Sequence, residues 1–161
     1  MNFFATTCRE PSRTDKLFGL CDGQAGGKAY SAIAHQSKWI ATVKNSSGAE
    51  VNFTAIDKCV LYDHDYPGRG RCDGMLTSNK HLYLVELKDK IAGGIPEAKI
   101  QLESTIRFLL EFEDLSAYKF RKAFVCNKKH KTFTVIDNET NKKFYDKTTF
   151  RLDIQAEVIF L

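Results

Sequence analysis

No stretch of this sequence is apolar for the eighteen or so residues that a helix needs to cross a bilayer, so a helical membrane span is not expected. The start, Met1-Asn2-Phe3-Phe4-Ala5, has neither the basic region nor the long apolar core of a secretory signal. The five cysteines (Cys8, Cys21, Cys59, Cys72, Cys126) are odd in number, and none pair in a C-x-x-C knuckle. Ordinary buried or free thiols are therefore expected, in a cytoplasmic protein with no membrane partner. Internal repeats, low-complexity tracts and linkers are also lacking. No one sign of charge dominates: 24 basic residues against 20 acidic ones leave a net charge of +4. That balance tolerates a polyanion without demanding one.

What is present fits one domain over 1–161, a length that can bury a core unaided. Residues 1–27, rich in Gly, Ser, Thr and Asp, read as an irregular entry segment. Tyr30, Ile33 and Ala34 suggest a short helix over 28–37. Strands follow at 39–43 and 51–56 around the turn Asn45-Ser46-Ser47-Gly48, then at 72–76 and 81–88. The run Leu82 to Val85 suits a buried central strand. Gly93-Gly94 breaks the chain, and Pro96 stands where a helix has its first turn. Ile95, Ala98, Leu102, Ile106 and Leu109 recur at three and four residues, which predicts an amphipathic helix to about Glu113. A hairpin is expected from 123–126 and 132–136 around Lys128-Lys129-His130-Lys131, and a closing strand over 152–160. The core with the site would span 28–126, followed by C-terminal strands over 127–161. This order implies an α/β (α+β) fold, a central mixed β-sheet flanked by helices.

Side chains alternate along a strand, so Glu86 and Lys88 share a face with Leu87 opposite. If 72–76 and 81–88 pair as a hairpin, Asp73 lies beside them. Three charged groups then converge at the end of an apolar sheet, and buried charges need partners or a metal. Two carboxylates a few ångströms apart suit a hard divalent ion, and the Leu87 carbonyl could add an oxygen. Such an ion polarises a phosphate and acidifies a bound water, while Lys88 orients that water or neutralises developing charge. The plain alternative is an ordinary same-face pair on a half-exposed strand. Acid-x-lysine occurs again at Glu97-Ala98-Lys99, at the start of the expected helix.

Asp73…Glu86-Leu87-Lys88, on strand–turn–strand before a helix, resembles the PD-(D/E)XK superfamily of phosphodiesterases, which includes restriction endonucleases, Holliday-junction resolvases and RecB-like nucleases. The resemblance covers about 28–126 and implies a restriction endonuclease-like core. It further implies a nuclease that uses Mg2+ or Mn2+ held by Asp73, Glu86 and the Leu87 carbonyl, and that cuts nucleic acid, DNA before RNA. Gln101 stands where RecB-like members carry a helix glutamine that supports the site. Two departures are visible: Cys72 replaces the leading proline, and 28–37 holds no glutamate, leaving Glu10 and Glu50 as early candidates. Some members act as dimers, so a second copy or a protein partner is a further expectation.

Arg69 and Arg71, with Lys128, Lys129 and Lys131, are the candidates for gripping backbone phosphates. Tyr62 and Tyr66 lie near the two arginines in sequence and are the best aromatic–basic grouping for nucleic acid. Cys59, Asp63, His64, Asp65 and Cys72 match no zinc spacing, and Asp63-His64-Asp65 reads more simply as a polar loop. Trp39, Phe108 and Phe112 are expected in the core. A rival of another class keeps the nuclease fold without the reaction, as an immunity-like, antitoxin-like or assembly protein.

Overall fold

A computed structural model describes residues 2–89, 94–128 and 137–160. The predicted strand 132–136, Gly93, and the basic residues Lys129 and Lys131 lie outside the described residues. The elements are β1 (Leu17–Cys21), β2 (Tyr30–Ala32), β3 (Ala41–Asn45), β4 (Asn52–Ala55), β5 (Gly74–Thr77), β6 (His81–Lys88), α1 (Ile95–Phe112), β7 (Phe120–Asn127), α2 (Asn138–Thr148), β8 (Arg151–Ile154) and β9 (Glu157–Phe160). They build an α+β fold with two mixed sheets, ordered β2-β1-β3-β9 and β4-β5-β6-β7-β8.

The expected single central sheet is thus two sheets, and alternation along β6 shows why both form. Leu82 and Leu84 pack with Ala98, Leu102 and Ile106 of α1. Tyr83, Val85 and Leu87 pack with Phe18, Val43 and Val158 of the four-stranded sheet. The five-stranded sheet is therefore the middle layer, covered by helices on one face and by the other sheet on the second. A strand covered on both faces reads as a continuous apolar run. Helix α1 crosses between the parallel strands β6 and β7, a connection that parallel pairing requires.

Three segments of the chain take a secondary structure other than the one expected. The entry segment 1–27 contains β1, which lies between β2 and β3. Its Gly19 sits under the indole of Trp39, which a Cβ would strike. The helix expected over 28–37 is instead β2 and a 3-10 turn at Gln36–Lys38, entered through His35 at φ 53°. Tyr30 and Ser31 find ladder partners in Cys21 and Leu20, whereas an isolated helix of that length is marginal. The closing strand is two strands in different sheets, preceded by the unpredicted helix α2. The Gln155 amide donates to the Val125 carbonyl of one sheet, and Ala156 accepts from the Thr42 amide of the other.

Helix α2 is almost wholly polar, burying only Phe144 and Thr148. Its one local signal is Asp137, whose carboxylate accepts from the Thr140 amide at 2.8 Å as an N-cap. Cys8 and Cys59 form a disulfide rather than the expected thiols, while Cys21, Cys72 and Cys126 are free and buried. Among the described residues no helix is long and apolar enough to cross a membrane. Trp39 and Phe108 are buried as expected, but Phe112 is 46% exposed.

Candidate active site

Strands β5 and β6 pair antiparallel with Gly74 opposite Val85. One residue further, the same register sets Asp73 opposite Glu86. Glu86 shares the face of Leu82 and Leu84, so its carboxylate points toward α1 and is only 5% exposed. Asp73 is oriented by the Leu87 amide, which donates to its Oδ2 at 2.7 Å. Lys88 Nζ lies 3.1 Å from Glu86 Oε1. The three predicted residues therefore meet at the carboxyl end of β6, the end at which open sheets with crossover helices form their crevices.

Helix α1 is tied to this end. The Cys72 amide donates to Thr105 Oγ1 at 2.8 Å, and that hydroxyl donates to the Gln101 carbonyl at 2.9 Å. Gln101 is thereby brought to the site, with Oε1 lying against Gly70 where any Cβ would collide with it. A cavity of about 330 Å³ opens here, walled by Asp57, Gly70, Arg71, Asp73, Glu86 and Gln101.

The electrostatics of this cavity are those of charge short of a partner. Burial pushes the Glu86 carboxyl up to about 8, reinforced by the Asp73 carboxylate and opposed by Lys88. Burial likewise raises Asp73 to about 7; the Leu87 amide pulls it back, and Asp22 and Asp57 push it further up. One ammonium does not balance two buried carboxylates, so the pair takes up a proton or a cation. Glu86 Oε2 and Gln101 Oε1 are buried without hydrogen-bond partners. Both are oxygens, as are Asp73 Oδ1 and the Leu87 carbonyl. A donor set made wholly of oxygens fits Mg2+ or Mn2+ rather than a softer ion. Among the described residues no three His, Cys, Asp or Glu side chains converge as a ligand group. An ion here would draw on amide oxygen and water to fill its shell.

The remaining candidates are placed as follows. Arg69 lays its guanidinium 3.5 Å over the Phe108 ring and reaches Glu111 at 3.2 Å. Arg71 bridges Asp57 at 2.8 Å and Asp63 at 2.6 Å. Both arginines stand at the cavity, and both are already paired with acids. Lys128 pairs with Asp89 at 3.4 Å and lines a different cavity, with Leu17 and Trp39. Tyr66 packs edge-on against Phe108, and Tyr62 stacks on His64. Asp63 and Asp65 are used locally, by Arg71 and by the Tyr62 amide. Cys59 is committed to its disulfide, which leaves the zinc alternative without that ligand.

Neither early glutamate reaches the cavity. Glu10 accepts from the amide and hydroxyl of Ser31, and Glu50 lies beside Arg9 and Asn52. The acid that does line it is Asp57, which the sequence reading passed over. The signal was available: Asp57 ends Phe53-Thr54-Ala55-Ile56, apolar but for its threonine, as Glu86 ends Leu82 to Val85. Gly70 and Thr105 had no comparable signal, because their roles exist only after α1 has docked.

No family model, curated protein or solved structure matches this chain.

Proposed function

We propose that the chain is a metal-dependent nuclease of the PD-(D/E)XK type, which hydrolyses phosphodiester bonds, DNA before RNA. One observation carries the reading: the carboxyls of Asp73 and Glu86, both of raised proton affinity, face one cavity with Gln101, and Glu86 Oε2 and Gln101 Oε1 are buried there without partners. The antiparallel pair β5–β6, the crossover α1 and the parallel strand β7 support a restriction endonuclease-like core, although no α-helix precedes them among the described residues.

Bound Mg2+ or Mn2+ would supply a polarised phosphate oxygen and a water of lowered pKa. The chain's own residues supply the rest. Asp73, fixed by the Leu87 amide, and Glu86, with Oε2 unpartnered, are the carboxylate ligands, and the Leu87 carbonyl is the further oxygen. Lys88, now paired with Glu86, orients the attacking water or neutralises charge gathering on the phosphate oxygens. Gln101 presents Oε1 against Gly70. Arg69 and Arg71 can take backbone phosphates by exchanging Glu111, Asp57 and Asp63 for them; Lys128, Lys129 and Lys131, which follow β7 in the sequence, are the further candidates for phosphate contact. A second copy of the chain or a protein partner would add the specificity that these residues do not provide.

The test is cleavage of plasmid and single-stranded DNA with and without Mn2+, beside Lys88→Ala and Glu86→Ala. Metal-dependent cleavage lost in both variants supports the reading. The rival, a binding protein that keeps the fold without the chemistry, is favoured by the Lys88–Glu86 ion pair and by the pairing of Asp57 with Arg71, which leaves no group of three ligand side chains among the described residues. It is the outcome if neither DNA nor RNA is cut and calorimetry finds no metal binding.

A further inference from the structure

At the other end of the five-stranded sheet, a groove of about 610 Å³ lies between α2 and the starts of β7 and β8. Its walls carry five cations, Lys119, Arg121, Lys122, Lys142 and Arg151, and no carboxylate. That is more than the net charge of the whole chain, +4. Arg121 is a fixed wall charge, its guanidinium bonded to the Leu115 and Tyr118 carbonyls and the Thr149 hydroxyl. Lys122 has a distant partner, Asp153 at 3.8 Å. Lys142 and Arg151 have no carboxylate partner among the described residues. Of the acids at α2, the N-cap Asp137 is turned to the Thr140 amide and Glu139 to Lys143 at 3.0 Å, and Asp146, four residues after Lys142, is not in the groove wall.

Two aromatic rings stand among these cations. Phe120 is 42% exposed and Tyr145 is 52% exposed. Phe120 is backed by His81, stacked at 5.0 Å, which fixes its ring as a platform. Burial holds the His81 imidazole below its ordinary range, and Lys122 and Lys80 depress it further, a sign of the positive field at this end. Parallel pairing of β6 with β7 sets Phe120 beside His81 and Asn127 beside Lys88. At about 3.3 Å per residue the groove lies roughly 20 Å from the carboxylates, so it is a separate site.

We propose that this groove binds a single-stranded nucleic acid, with its phosphates on Lys119, Lys122, Lys142 and Arg151 and a base against Phe120 or Tyr145. Cations alone would suit any polyanion. Exposed rings beside them suit a strand whose base faces are open, which a duplex does not present. The site stands independently of the nuclease reading, since it uses none of the cavity residues.

The experiment is fluorescence anisotropy of a labelled oligothymidine of about 12 nucleotides, with oligouridine and duplex arms, in EDTA so that cleavage plays no part. Single-strand binding should weaken with salt at a log–log slope of about −2 to −3, the value for three or four phosphates. The double variant Lys142→Glu, Arg151→Glu should bind at least about 10-fold more weakly with a shallower slope. Tyr145→Ala should lose about 10-fold with the slope kept. The proposal is overturned by no single-strand binding, by duplex binding of equal strength, by undiminished binding in the double variant, or by equal displacement with polyglutamate. Tight binding without cleavage in Mn2+ keeps this inference and sinks the nuclease reading, and cleavage without groove-dependent binding does the reverse.

Discussion

The Leu87 amide donates to Asp73 Oδ2 at 2.7 Å, binding the first acid of the site to the backbone between the second acid and the lysine. One backbone group thereby fixes the spacing of Asp73 against Glu86 and Lys88. It also satisfies one carboxylate oxygen of Asp73 and leaves the other for a ligand.

Metal binding should displace protons. Asp73 and Glu86 are raised to about 7 and about 8 and must ionise to act as ligands. Mn2+ affinity should therefore climb between roughly pH 6 and pH 9. Calorimetry in two buffers of different ionisation enthalpy should show net proton release, which falls in Glu86→Gln. Proton-neutral binding would separate the ion from these carboxylates.

Without a divalent ion, stability should decline with rising pH. Both carboxyls have folded-state values above their ordinary ones, so their contribution is whole below the usual carboxylate range and is lost as pH rises through about 7 and 8. For Glu86, nearly fully buried, the loss is on the order of 2–4 kcal/mol. Thermal melts in EDTA should fall between pH 5 and pH 9, and Glu86→Gln should flatten the profile. A profile equally steep in the variant would place the titration elsewhere.

Thr105→Val keeps the shape of the side chain and removes its hydroxyl. The Cys72 amide then loses its acceptor in a buried setting, at about 1–3 kcal/mol. Chemical denaturation should register that cost. Metal affinity should drop as well, because the same hydroxyl ties α1 to the residue before Asp73.

The Cys8–Cys59 disulfide closes a loop of 51 residues. Cys8→Ser, or reduction of the parent, should cost about 4 kcal/mol on the chain-entropy account. Urea titration with and without reductant measures it. Alkylation before and after reduction should label these two cysteines only after reduction.

The parts of the fold that could be read from the sequence were those whose causes are local. His81 to Lys88 is an unbroken run of strand formers, and Ile95 to Phe112 repeats at helical spacing, so both stand close to where they were expected. Over 28–37 the spacing misled, because Ile33, counted on an apolar helix face, is 62% exposed. Helix α2 was hidden by composition, since Asn, Lys and Glu surround its one buried aromatic, Phe144. The second sheet depends on β3 meeting β9 from the far end of the chain, a pairing that no local pattern encodes. The candidate site divides the same way. Asp73, Glu86 and Lys88 were legible from one hairpin and Asp57 from the run it ends, while Gly70 joins them only through the fold of the loop between β4 and β5.

The switch of sheets between Gln155 and Ala156 has a consequence for the order of assembly. Strand β9 lies parallel along β3, and Val158 and Phe160 fill the space between the layers beside Phe18 and Val43. On a ribosome, β1 to β3 emerge long before their last neighbour. Until residues 157–160 arrive, that sheet carries a bare edge and a half-filled apolar face, the surface that holding chaperones recognise and that promotes aggregation. Strand β9 is the clasp that shuts the two layers, so a stall or truncation just before it would leave a nascent chain with the β5–β6 hairpin already translated and its scaffold still open.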